Sequence, residues 1–516
     1  MMMNWREGKP VNDMSEFRED VDRFEDAAVA CENGDISMGD FKSVSGYFGC
    51  IPQRDGRMVV RLRFTGGRIT SEDLEFIMSK AEEHKAELIH ITTGQTVQLH
   101  GLGGRQAADT IRSAADVGIV TKCAGGNSPR NILASPLSGV DPYEAFDVLP
   151  FAEAADAYLL GIVGSVDLPN KFKVSFSNGT ESGVHATVKD LGFVACRDGT
   201  FDVYSGGGMG NKGGRIGVKV FEGIPPEKIL YCVEAAVSLY LEYGKGAGKA
   251  ESRFRFMRDR LGEESFLSEF KTRFERSVGR GGLDLDADIS VHAHEKTGEV
   301  KGIISQKDPD MFSVHIPFIG DPSVEDLSMF LSVLKNNPGS EIRLSPDQTF
   351  YFINMEKSSA EELASEFAAG SETEFRSSVS CVGYPICRTG RMSSRTVLEG
   401  LLEMEMSSDL PDGALPKIGI SGCGSSCAVH QLYPIGLKGT SVSLLGGNQP
   451  GFEVHLGGCS IIGHERIGDI VGSIPESNLS DFFKSVGKEA SKEGFEEWII
   501  SNRERFLELV EEFSGQ

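Results

Sequence analysis

The chain has 516 residues, 40% of them apolar and 25% charged, which describes an ordinary globular protein long enough for roughly three domains. Its net charge of −24 excludes general nucleic-acid binding, which needs a basic footprint, and makes any local basic site conspicuous. No apolar run approaches the ~20 residues that span a bilayer, the N-terminus lacks an apolar secretory core, and ten cysteines do not make a disulfide scaffold in so long a chain. The expectation is a protein of the reducing cytoplasm, with no membrane and no nucleic acid among its partners.

Residues 1–43 are acidic and weakly periodic, with Phe17, Val21 and Phe24 at helical spacing, and read as a short helix on a loosely packed arm. Arg61 to Phe64 is a β-rich run, Ser71 to Ala81 has helical periodicity, and Leu88 to Leu99 alternates again. This unit recurs. Residues 72–99 align without gaps onto 325–352 at a constant offset of 253, so that Gln95-Thr96 meets Gln348-Thr349. Phe201 to Gly207 matches Phe452 to Gly458 at offset 251. Nearly equal offsets mean that a whole unit was duplicated, which predicts pseudo-two-fold halves with a site at their seam. Between the copies, Pro226 to Val278 reads as helical.

Four cysteines form two tight pairs. Cys381 and Cys387 are spaced C-x5-C, and Cys423 and Cys427 are spaced C-x3-C. Four thiolates on two glycine-containing loops suit a [4Fe–4S] cluster, which needs one sulfur per iron. Zinc stays open as an alternative, although zinc knuckles favour a shorter gap than C-x5-C. Three segments of the first half are rich in anion-binding groups: Thr92 to His100, Gly126 to Asn131, and Leu168 to Lys173. On a strand, Lys171 and Lys173 share one face. Two like charges so placed either are fully solvated or hold an anion between them.

Together these segments resemble the sirohaem-containing sulfite and nitrite reductase family. Its pattern T-T/N-R-Q-x-x-Q-x-H, then N-R-N, then L-P-R-K-F-K, is met by Thr93-Gly94-Gln95 through His100, by Pro129-Arg130-Asn131, and by Leu168-Pro-Asn-Lys171-Phe-Lys173, from about residue 45 to 470. The resemblance implies an α+β, pseudo-two-fold duplicated fold of paired ferredoxin-like half-domains and two α/β lobes. It places an acidic arm at 1–43, half-domains at 44–115 and 306–372, a sirohaem and substrate lobe at 116–305, and a cluster and sirohaem lobe at 373–516. It implies six-electron reduction of sulfite to sulfide, or of nitrite to ammonia, with a non-catalytic redox subunit as a further alternative. Arg130, Lys171 and Lys173 would act on the substrate oxyanion. Arg61, Arg63, Gln95, Gln98, His100, Asn131, Gly207, Lys212 and Ser425 would hold the sirohaem. Cys381, Cys387, Cys423 and Cys427 would hold the cluster, and Cys427 would bridge it to the haem iron. Both lysines are typical of sulfite-type members.

Two positions leave the pattern. The family's substrate arginine is Gly94 here, a loss worth roughly 2–4 kcal/mol of transition-state stabilisation if nothing replaces it. Gly424-Ser425-Ser426 stands where the family carries Pro-Asn. No flavin or nicotinamide fingerprint and no C-x2-C-x2-C-x3-C run is present, so electrons are expected from a separate carrier, a ferredoxin. An acidic carrier needs a basic landing patch, for which Lys249, Arg253, Arg255, Arg258 and Arg260 are the candidates. His292 and His294 form an H-x-H with no further ligand placed for it. The oligomeric state is left open.

Overall fold

The computed structural model describes residues 14–515 apart from 181–182, 247, 288, 290–301, 318–319, 368, 370–372 and 445–446. The H-x-H of His292 and His294 lies outside the described residues.

Each copy of the repeat builds a helix packed on an antiparallel sheet. Thr70 caps the helix Ser71–Glu83 and Ser323 caps Val324–Asn336, each in a reciprocal box with an aspartate three residues on, Asp73 and Asp326. The first sheet runs Cys50–Pro52, Met58–Arg63, Thr96–Leu102, Leu88–Ile91. The second runs Ile303–Ser305, Met311–Ile316, Phe350–Glu356, Glu341–Leu344, and takes Arg68–Ile69 from the first copy as its edge. One apolar core joins both copies, from Leu74 and Ile77 to Leu327 and Phe330.

The seam between the copies is closed by a reciprocal exchange. Gln95 and Gln348 both adopt the left-handed conformation, at φ 53° and 64°. The Gln95 amide donates to the carbonyl of Leu344 at 2.8 Å, and the Gln348 amide donates to that of Ile91 at 2.8 Å. Ile91 and Leu344 are themselves related by the offset of 253.

Two further sheets share one topology. Leu133–Ala134, Val174–Ser177 and Leu191–Ala195 are parallel, and Phe201–Ser205 and Val218–Ile224 add antiparallel. Val379–Ser380, Ile418–Ser421 and Ile435–Leu444 are parallel, and Gly447–Leu456 and Asp469–Pro475 add antiparallel. The central parallel strands are apolar and fully buried, as strands covered on both faces must be. Each sheet carries its own core. No described helix is long and apolar enough to cross a membrane.

The N-terminal helix Met14–Glu32 is not loosely attached. Val21, Phe24 and Ala28 enter the shared core, and Arg112 pairs with Asp22 at 2.8 Å and Glu25 at 3.0 Å. The acidic face hides the signal: three apolar side chains on one stripe suffice to dock a helix.

Candidate active site

The four motif thiols sit at the ends of parallel strands of the second lobe, where such sheets open a crevice. Cys381 follows Val379–Ser380, and Cys423 and Cys427 follow Ile418–Ser421. The Cys381 loop is wound tightly against its neighbour. Gly383 has φ +58°, and a Cβ there would lie 2.7 Å from the Met392 carbonyl. Ser394 Oγ stands 3.2 Å from Cys381 Sγ, and the Gly422 N–H donates to the same sulfur at 3.2 Å.

The thiols interact without converging on a point. Burial, then the Cys427 thiolate, pushes Cys381 up to about 12. Cys427 is exposed at the surface of its loop, yet desolvation by the surrounding protein raises its thiol, with further upward pressure from Cys387 and Cys423. Among the described residues, however, the only set of three or more ligand atoms lying within 4.8 Å of one another is Glu83, His84 and Asp109. Four sulfurs on one zinc ion would stand about 3.8 Å apart. Four thiols on two neighbouring loops supply the one sulfur per iron that a four-iron cluster needs.

Lys171 and Lys173 face these thiols from the other lobe, and lower the Cys427 thiol against its burial. Both ammonium groups are held below the usual lysine range, first by burial and then by the Arg253 guanidinium; Lys173 adds to the effect on Lys171, and Arg130 to that on both. Arg61 also senses Cys427, and burial lowers it. With its amide oriented to satisfy both neighbours, Gln98 accepts from Arg61 at 2.7 and 3.0 Å and donates to His100 at 3.2 Å. Burial lowers His100 to about 3, so its ring stays neutral. Thr93 Oγ donates to the Cys427 carbonyl at 2.9 Å and ties the Gly94 turn to the thiol loop.

Arg253 and Arg255 correct the expected landing patch. They are only 9% and 2% exposed and point inward. Arg253 reaches within 3.7 Å of Asp190, whose other oxygen accepts from the Lys173 N–H at 2.8 Å. Its Nε is buried and finds no hydrogen-bond partner among the described residues. Tyr240 Oη donates to Ser252 O at 2.8 Å and lies 3.5 Å from Lys171 O, which fixes Arg253 beside the lysines. Arg255 donates to Met209 O at 3.2 Å and Asn211 O at 2.8 Å, holding the glycine-rich turn. Arg258 and Arg260 spend their donors on Ile216, Glu251 and Tyr243 carbonyls. The alternation of Arg253 and Arg255 with Phe254 and Phe256 is the signal in the sequence that sets these two guanidinium groups apart from a surface patch.

Several expected contacts go elsewhere. Gln95 donates to Gly66, Ala134 and Leu344 carbonyls, all seam backbone. Arg63 braces the Arg130 loop through Pro129 O and Arg130 O and pairs with Asp156. The Asn131 amide donates to Phe64, Gly94 and Gln95 carbonyls. Lys212 pairs with Glu251 at 2.6 Å on the surface. The contacts of Gln95, Arg63 and Asn131 brace the seam and the Arg130 loop, while Arg63 Nε and Asn131 Oδ1 stay buried without a hydrogen-bond partner among the described residues. Arg130 folds onto its own loop, donating to Gly125, Gly126 and Ser128 carbonyls, yet burial and Arg61 lower it to about 9, which keeps it within the cationic group. Gly207 lies against the Val188–Lys189 backbone, where a Cβ would stand 2.8 Å from the Lys189 carbonyl. Ser425 presents its carbonyl to Gly210.

Residues 51–117 match the nitrite/sulfite reductase ferredoxin-like half domain, and 125–278 match the nitrite and sulphite reductase 4Fe-4S domain. The ferredoxin–nitrite reductase of Synechococcus elongatus is 25% identical over 424 residues, covering 79% of this chain and 81% of that one. The sulfite reductase [NADPH] hemoprotein beta-component of Bacillus pumilus is 25% identical over 429 residues, covering 75% and 74%. The structure of the Mycobacterium tuberculosis NirA protein has the same fold, with a TM-score of 0.78 at 22% identity over 97% of this chain and 98% of that one.

Proposed function

We propose that this chain, which matches the nitrite and sulfite reductase domain models over 51–117 and 125–278, is a member of the sirohaem and [4Fe–4S] nitrite and sulfite reductase family and reduces sulfite to sulfide with electrons from an external carrier. The observation that supports this reading is the 2.9 Å hydrogen bond from Thr93 Oγ to the Cys427 carbonyl, which seats the Thr92–His100 segment against the thiol loop, with Lys171 and Lys173 lowering the Cys427 thiol electrostatically. Cys381, Cys387, Cys423 and Cys427 would hold the cluster, Arg61, Lys171, Lys173 and Arg253 would face the carboxylates and the substrate, and the bound pair would supply the six electrons that side chains lack. The lysines serve two ends. As cations they attract the oxyanion and stabilise charge that builds on it. As ammonium groups held below their usual range they release protons readily when an S–O bond breaks. Arg253 sharpens both, by adding charge and by weakening each lysine's grip on its proton.

Electron delivery is assigned to a different surface from the buried arginines. Arg54 donates to the carbonyls of Arg388 at 3.1 Å and Gly390 at 2.7 Å and lies over the Tyr384 ring. Tyr384 is 45% exposed on the Cys381–Cys387 loop itself. Lys42, lowered by burial and then by Arg388 and Lys249, places three cations together near Cys387. On a chain of net charge −24 this patch offers an acidic one-electron carrier such as a ferredoxin a landing place beside the cluster loop.

Nitrite is the second reading, favoured by the ferredoxin–nitrite reductases among the relatives. Turnover of the purified protein with reduced viologen, on sulfite and on nitrite, separates the two. A preference for sulfite that is lost in Lys173→Asn supports the proposal; sirohaem-loaded protein that makes neither sulfide nor ammonia refutes it.

A further inference from the structure

A cavity of about 650 Å³ opens between the lobes away from the thiols. Its position is the pseudo-two-fold image of the thiol cleft. Lys417 directly precedes Ile418–Ser421, as Lys173 directly precedes Val174–Ser177. Ser135 and Asp141 follow Leu133–Ala134 at the places where Cys381 and Cys387 follow Val379–Ser380. Gly183 follows Ser177 at the distance at which Cys427 follows Ser421. Asp347 stands at the image of Gly94, by the offset of 253.

The image has been remade chemically. Where the first site has sulfur, this one has a hydroxyl, a carboxylate or no side chain. A Cβ at Gly183 would lie 3.1 Å from the Asp347 carboxylate, so that carboxylate fills the space beside Gly183. Asp347 also neutralises Lys417 at 2.8 Å. Asp141 and Asp347 line the inner wall, Glu374 and Glu496 the rim, against Lys417 and Arg466. Burial, then the neighbouring Glu496, pushes the Glu374 carboxyl up, with Lys417 opposing them. The apolar part of the wall includes Tyr433, over whose ring Lys417 already lies at 6.0 Å. Carboxylates set among aromatic faces recognise organic cations, and the volume suits a ligand of a few hundred daltons.

We infer that this cavity is a second small-molecule site, for an amine-bearing organic cation, and that it repels the polycarboxylate its image accepts. Titration calorimetry of the cofactor-loaded protein with phenethylamine and spermidine, at physiological salt, tests it. Saturable binding of at least one probe, one molecule per chain, is expected. It should weaken about tenfold in Glu374→Gln and in Asp347→Asn, with viologen-driven turnover unchanged in both. Glu374 is at the rim, so its variant keeps the test valid if Asp347→Asn unsettles the fold. No saturable binding of either amine, equal binding by wild type and Glu374→Gln, or tighter binding of uroporphyrin than of the amines overturns the inference.

Discussion

Gly94→Arg restores the residue that the family pattern carries, and it is expected to slow sulfite turnover. The substitution fits: Gly94 has an ordinary φ, and a Cβ there meets only Thr92 Oγ at 3.5 Å. Arg57 does not fill the gap, because Asp55 and Glu87 hold it at 2.7 Å each. The difficulty is charge. Lys171 and Lys173 already have weakened proton affinity because of Arg253 and Arg130. A further guanidinium roughly 7 Å away, at an effective dielectric of ~20, opposes each lysine's proton by about 2 kcal/mol, or ~1.5 pH units. Lysines that still donate near neutrality would then be neutral. The alkaline limb of the kcat profile should move down by ~1–2 units, and kcat at pH 8 should fall about 10- to 30-fold. KM for sulfite should stay level or drop, because the pocket gains a cation as the lysines lose theirs. Adding Arg253→Met should move the limb back. Steady-state kinetics with reduced viologen from pH 5.5 to 9 decide it. A higher kcat on sulfite at pH 8, with the limb unmoved, would refute the charge argument and return Gly94 to a simple missing cation.

Three further outcomes are expected. Cys427→Ser should abolish turnover and uncouple the visible and magnetic spectra of haem and cluster, whereas Cys459→Ser should leave both intact; equal damage would mean that the wrong thiols have been chosen. Arg388→Glu should raise the KM for a reduced ferredoxin about tenfold or more while leaving viologen-driven turnover unchanged, and a matching loss with viologen would show damage to the cluster loop instead. Burial, then Lys173, lowers Lys189 from 10.5 to about 7. Between those values the unfolded chain binds more protons, so stability rises with pH across the window and the lysine destabilises the fold most below it, by up to about 5 kcal/mol. Lys189→Met should therefore raise the apoprotein's Tm at pH 6–7, with a gain that shrinks towards pH 10; a gain independent of pH would contradict the assignment.

The sequence carried the parts of this protein that are local in the chain. Four thiols within 47 positions announce themselves by spacing, and an offset of 253 finds the duplicated half-domains because capping boxes and strand alternation repeat with it. What it could not carry was direction. A motif position such as Gln95, Arg63 or Asn131 is constrained, but the pattern does not say whether the side chain faces a ligand or the seam; only the carbonyls of Gly66, Phe64 and Pro129 around them decide that. Arg253 and Arg255 failed for the opposite reason. Charges on a helical stretch usually face water, and only the tertiary contacts with Asp190, Met209 and Asn211 reveal two guanidinium groups turned inward. The basic surface near the cluster loop is assembled from three stretches far apart in the chain, Lys42 and Arg54, Lys249, and Arg388, and no linear reading gathers them.

The glutamine exchange at the seam is an isologous contact enclosed within one polypeptide: position i of one copy grips position j of the other, and the mirror bond is made in return. In a homodimer any substitution strikes both sides at once, so the two clefts can only change together. Fusion removes that tie. The paired glutamines hold the frame square while each cleft drifts by itself, which lets one copy keep Gly94 without a side chain and the other carry Asp347 at the same position. Symmetry is thus retained in the backbone and abandoned in the chemistry, and the seam is where a matched pair of substitutions, rather than a single one, would be tolerated.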